Sequence, residues 1–67
     1  MLYKMGDVIR INDDTQGFRN VRGVVVGFDN ETEEVMFRII AKGYIGVDSR
    51  STHIKNTEID SEQFRLV

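Results

Sequence analysis

At 67 residues, with nine Lys plus Arg against eleven Asp plus Glu and a net charge of −2, the chain makes one small domain without the basic excess that phosphate-gripping proteins usually carry. It has no cysteine, which excludes a disulfide framework and a thiolate metal site and leaves apolar burial to hold the fold. A core of this size rarely supplies more than about 3–5 kcal/mol net, which leaves little for a strained active site or a deep pocket, so a non-enzymatic protein without cofactor or metal is expected.

The opening MLYKMGD lacks the apolar run of a secretory signal. No segment approaches the roughly 18 apolar residues that span a bilayer, and the expectation is a soluble, cytoplasmic protein that does not enter membranes. Val8, Ile9 and Ile11 follow Gly6-Asp7 and stop at Asn12-Asp13-Asp14, whose short polar side chains favour a turn, so residues 7–11 read as the first strand. Residues 12–20 hold only Phe18 as a large apolar side chain and read as a loop containing Gly17.

The second strand runs from Val21 to Phe28, with Gly23 and Gly27 marking a strand that bends or coils strongly. Residues 29–33 form an acidic turn. Residues 34–40 form the third strand, alternating Val35, Phe37 and Ile39 on one face with Met36, Arg38 and Ile40 on the other. The first set is the better core face, because the second contains an arginine. Residues 41–46, with Gly43 and Gly46 around Tyr44 and Ile45, read as a second tight connection.

The fourth strand, residues 47–54, is poor in apolar residues and reads as an edge. Residues 56–60 read as a single helical turn capped by Asn56 or Thr57, and residues 63–67, alternating Phe64 and Leu66 with polar neighbours, as the fifth strand. No segment shows the spacing of three and four that a long amphipathic helix needs. The expected class is therefore all-β: five antiparallel strands curled into a small, partly open barrel. Its core is expected to hold Val8 or Ile9, Ile11, Val24, Val26, Phe28, Val35, Phe37, Ile39, Ile54, Ile59 and Phe64.

The run G-D-V-I-R-I, a loop, then R-G-V-V-V-G-F-D resembles the opening of SH3-like barrels of the KOW type. There a Gly-Asp-x-Val-x-Val strand leads through a glycine-containing loop to a Gly-x-Val-x-x-Ile-Asp strand. Gly6, Asp7, Ile9 and Ile11 match the first part, Gly17 the loop, and Gly23, Val25, Phe28 and Asp29 the second, so the match spans residues 6–29. The resemblance implies an SH3-like barrel of the kind that touches RNA, DNA or protein in transcription and translation machinery. The loop departs from it: nucleic-acid-binding members are rich in lysine and glycine there, whereas this one reads N-D-D-T-Q-G-F-R-N. The resemblance thus supports the barrel more than RNA binding.

Two surfaces are candidates for a partner. Met36, Ile40, Tyr44 and Ile45, joined by Val25 and with Arg22 and Arg38 beside them, would make a protein interface on the outer face of the central hairpin, where exposed apolar side chains and arginines are common anchors. The bland alternative is that the C-terminal strand or Leu2-Tyr3 covers the apolar members. Arg10, Phe18, Arg19, Arg22 and Arg38 would instead suit a single-stranded nucleic acid, through phosphate contacts and stacking. Their bland alternative is a set of solvated charges paired across strands.

The acidic bend Asp29, Glu31, Glu33, Glu34 lacks the oxygen spacing of a calcium loop and reads as a solvated hairpin tip. His53 is the sole histidine, which precludes a multi-histidine zinc site. Ser49, Ser51 and His53 share one face of a strand and Asp48 the opposite one, so these triad residue types cannot act together. The expected function is a binding module, an accessory or regulatory factor making protein–protein contacts, with a KOW-like RNA- or DNA-binding domain as the alternative.

Overall fold

The computed structural model describes residues 3–60. Five antiparallel strands, β1 (Val8–Asp13), β2 (Phe18–Asp29), β3 (Glu34–Ala41), β4 (Tyr44–His53) and β5 (Thr57–Ile59), form one open sheet in the order β4-β3-β2-β1-β5. Helix among the described residues is limited to two 3-10 turns, Asp14–Gln16 and Ile54–Asn56, and none is long and apolar enough to cross a membrane. The all-β, five-stranded, partly open architecture expected from periodicity is the one observed.

The element boundaries differ in instructive ways. The expected loop over residues 12–20 shrinks to a single helical turn, because D-D-T-Q-G carries its own caps. The Asp13 carboxylate accepts the Thr15 amide at one end, and Gly17, at φ 76°, donates its amide to the Asp14 carbonyl at the other. The second helical turn falls at Ile54–Asn56 instead of over residues 56–60. His53 caps it, and Thr57–Ile59 pair as β5 against Ile9–Ile11. The strand expected over residues 63–67, with Phe64, lies outside the described residues.

The connection after β3 is also tighter than residues 41–46 implied. Ala41 pairs with Tyr44, leaving Lys42 and Gly43 as a two-residue turn with φ of 53° and 79°. Positive φ at both centres is the type I′ geometry whose twist matches that of the strands, and glycine adopts it without steric cost.

Three irregularities set which side chains face inward. Between the pairs Ile11–Val21 and Asp13–Phe18, β2 spends one residue more than β1. Asn20 takes φ 55° there, and its amide bonds Asn12 Oδ1 at 2.8 Å. Between Val25–Phe37 and Gly27–Met36, β2 again spends one extra residue, Val26. Between Arg38–Ser49 and Ile40–Ile45, β4 sets Gly46, Val47 and Asp48 against Ile39 alone. Such bulges raise local twist and bend the strand that carries them.

The core of Ile9, Ile11, Val25, Val35 and Phe37 is flanked by Tyr3, Phe18, Phe28 and Ile39. Val25 is the buried valine of its run, a correction to its expected place in the exposed patch, and the expected Val24 and Val26 are half-buried, because the extra residue at Val26 lets both Val25 and Phe28 sit opposite core residues of β3. Val8 and Ile9 are both buried. Ile54 is half-buried, and Ile59, on the short edge strand β5, is 54% exposed instead of central. Gly23 lies where the Phe37 ring crosses β2. A Cβ there would stand 2.8 Å from Phe37 Cδ2 and 3.1 Å from Ile11 Cδ1.

β4 and β1 are three positions apart in the sheet, about 14 Å if it were flat. Yet Thr52 Oγ1 on β4 donates to Asp13 Oδ2 on β1 at 2.7 Å. The sheet therefore curls until its first and fourth members by position are joined by side chains, and Asp13 is the clasp.

Candidate functional site

The seam between β1 and β4 opens into a polar cleft of about 690 Å³ between the two helical turns. Its centre is the buried Asp13. Oδ1 accepts from Thr15 N at 3.1 Å and Thr15 Oγ1 at 2.6 Å, and Oδ2 from Gln16 Nε2 and Thr52 Oγ1, both at 2.7 Å. Gln16 Nε2 also reaches the Ser51 carbonyl at 2.8 Å, and Thr52 Oγ1 accepts from Asn56 Nδ2 at 3.1 Å. Both carboxylate oxygens are engaged, so the chemistry of this seam is that of a structural clasp.

The bonds from Thr15, Thr52 and Gln16 outweigh desolvation and hold the Asp13 carboxyl well below the usual carboxylate range. A depressed folded-state pKa contributes stability that is complete above the unfolded-state value, about 3.9, and is lost as pH falls through the folded-state value. Urea midpoints of the wild-type protein should therefore fall on acidification below about pH 4. Asp13→Asn should be less stable at pH 7 and should flatten that acid limb; an equally steep limb in the variant would locate its origin elsewhere.

The predicted nucleic-acid contacts separate into two groups. Arg10 and Arg22 are direct cross-strand neighbours, and both turn onto the buried Asp60: Arg22 Nε lies 2.7 Å and Arg10 Nη2 3.4 Å from the same Oδ2. Arg10 Nη1 also donates to Asn20 Oδ1 at 2.7 Å. Phe18 packs edge-to-face on Phe37, with ring centroids 5.8 Å apart and planes at 73°, so its ring belongs to the core cluster. Arg19 and Arg38 are exposed. Arg38 stands opposite Val24 and Ser49, diagonal to Arg22 and not directly beside it.

Of the predicted apolar interface, Ile40 is only 7% exposed, a correction to its expected outward position. It pairs with Arg22 on one side and Ile45 on the other, just past the β4 irregularity, so both Ile39 and Ile40 are shielded despite their alternation. Met36 is 39% exposed and lies across Gly27, its Cε where a Cβ would stand. Tyr44 is 78% and Ile45 37% exposed. Val47, absent from the expected set, is the most exposed large apolar residue described, at 84%. Leu2, one proposed cover for this patch, lies outside the described residues, as does the segment 63–67.

Every residue from 41 to 51 is exposed, and among the described residues β4 has a strand partner only on its β3 side. Comparison with protein-family models, curated proteins and solved structures finds no match.

The triad residue types on β4 do not form a relay: Asp48 sits in the bulge, and His53 Nδ1 accepts from the Lys55 amide at 3.1 Å. Sequence reasoning missed Asp60, Thr52 and Val47. The first two are polar residues buried by long-range partners that no local pattern reveals. Val47 could have been found as a valine in an otherwise polar strand already read as an edge.

Proposed function

We propose that this domain is a non-enzymatic binding module whose partner is a protein, met along β4 and the adjoining outer side of the β3–β4 hairpin. The observation that carries this reading is the concentration of exposed Tyr44, Ile45 and Val47 on a ten-residue edge strand. Such an edge offers unpaired backbone groups together with apolar side chains, the combination used when a partner adds a strand. A KOW-like nucleic-acid role has less support, because Arg10 and Arg22 are engaged by Asp60 and Phe18 packs in the core. The partial KOW-type resemblance over residues 6–29 agrees with either partner.

Affinity capture from cell extract with wild type and a Tyr44→Ala, Val47→Asp double variant tests the reading. Both side chains are exposed, so the variant should keep its fold and lose proteins that the wild type retains. Equal capture would count against the edge. In parallel, single-stranded RNA or DNA should leave the Arg19 and Arg38 amides unmoved; shifts that vanish steeply with salt would favour the nucleic-acid role instead.

A further inference from the structure

We propose that the partner of this edge is a second copy of the chain, bound by antiparallel pairing of the two β4 strands about a two-fold axis at Ser49. This rests on reading β4 as a protein-binding edge, and it adds the identity of the partner and the register. In an antiparallel ladder, residues whose backbone groups point outward must meet residues of the same alternate set on the other strand. A two-fold β4–β4 ladder must therefore have its axis at a residue, never between two.

Side-chain charge selects the residue. Asp48 and Arg50 flank Ser49, both are exposed, and neither has an ion partner among the described residues. An axis at Ser49 sets Asp48 of each copy opposite Arg50 of the other, so both charges are matched twice in one isologous contact. An axis at Asp48 or at Arg50 would instead set like charges face to face. An axis at Val47 would place Arg50 against Tyr44 and Asp48 against Gly46, leaving both charges unmatched. In the Ser49 register the exposed Val47 falls opposite Ser51 of the second copy.

The bulge over Gly46, Val47 and Asp48 twists the strand beyond this point, which keeps the ladder short and gives the charge pairs a large share in fixing it. A net charge of −2 on each chain opposes the approach of two copies only weakly.

Sedimentation equilibrium at low ionic strength on wild type, Asp48→Arg, Arg50→Asp and the double exchange tests the proposal, with amide spectra to verify the fold of each. The wild type should show a monomer–dimer equilibrium. Each single variant should dimerise roughly tenfold more weakly or worse, since one reversal creates two like-charge pairs across the axis. The double exchange should restore association. A wild type that stays monomeric at millimolar concentration, single variants that associate as well as wild type, or a double exchange that restores nothing would each overturn it. If the wild type is monomeric while the Tyr44→Ala, Val47→Asp variant still loses captured proteins, self-pairing fails and the protein-binding edge stands. Dimers with unchanged capture would support self-pairing and count against any other protein partner at this edge.

Discussion

Phe37→Ala should leave the protein largely unfolded at 25 °C. The Phe37 ring is fully buried at the middle of β3, in edge-to-face contact with Phe18 and directly over Gly23, so truncation empties the centre of the core. Phenylalanine-to-alanine changes at such positions cost about 3–5 kcal/mol, which equals the entire net stability that a core of this size supplies. Collapse around the void is restricted because β2 already approaches as closely as a glycine allows. Phe37→Leu keeps most of the volume and should cost about 1–2 kcal/mol, lowering the thermal midpoint while preserving a cooperative melt. Far-UV circular dichroism against temperature and urea separates the two. An alanine variant with a cooperative transition lowered by less than about 4 °C, near 1 kcal/mol for a domain of this length, would show that the core is not centred on Phe37.

The class of the fold was legible because period-two alternation holds wherever the ladder is regular. Val35 and Phe37 face inward as alternation requires, and β4 is the polar edge that its composition implies. Alternation fails at the bulges. In V-V-V between two glycines every residue is an equally good core candidate, and only the extra residue at Val26 decides that Val25 is buried. At Ile39-Ile40, three residues of β4 opposite one of β3 shield both isoleucines, and nothing local to β3 announces this. Register shifts of this kind depend on how two strands meet, so one strand's sequence cannot disclose them.

Polar burial was the other blind spot. Asn12-Asp13-Asp14 looks like a solvated turn, and two thirds of that reading concerns residues that are indeed exposed. Asp13 differs because Thr52, thirty-nine residues away, reaches its carboxylate once the sheet curls. The local part of the signal was present: an aspartate two residues before a threonine and four before a glycine is a capped helical turn. Its use as a clasp between β1 and β4 is a property of the closed shape. The candidate interface followed the same division. Tyr44 and Ile45 are exposed on the edge strand, while Ile40 depended on the register and turned inward.

Asp60→Ala should destabilise the protein by about 2–3 kcal/mol, far beyond the usual worth of an exposed ion pair. Its carboxylate is almost wholly buried and receives both Arg10 and Arg22, which are directly opposed across β1 and β2. Two guanidinium groups facing each other across a ladder repel, and a shared acceptor converts that repulsion into a bridge. Deleting it removes the acceptor that two half-buried cations share, beside the end of β5, where the Asp60 amide bonds the Val8 carbonyl at 2.9 Å. Asp60→Asn retains an acceptor oxygen and should cost less. The decisive comparison is a double-mutant cycle with Arg22→Ala. Removing Arg22 should cost measurably less in the Asp60→Ala background than in the wild type, because the shared carboxylate has gone. A loss of under about 0.5 kcal/mol for Asp60→Ala, with full additivity in the cycle, would reduce the bridge to an ordinary surface pair.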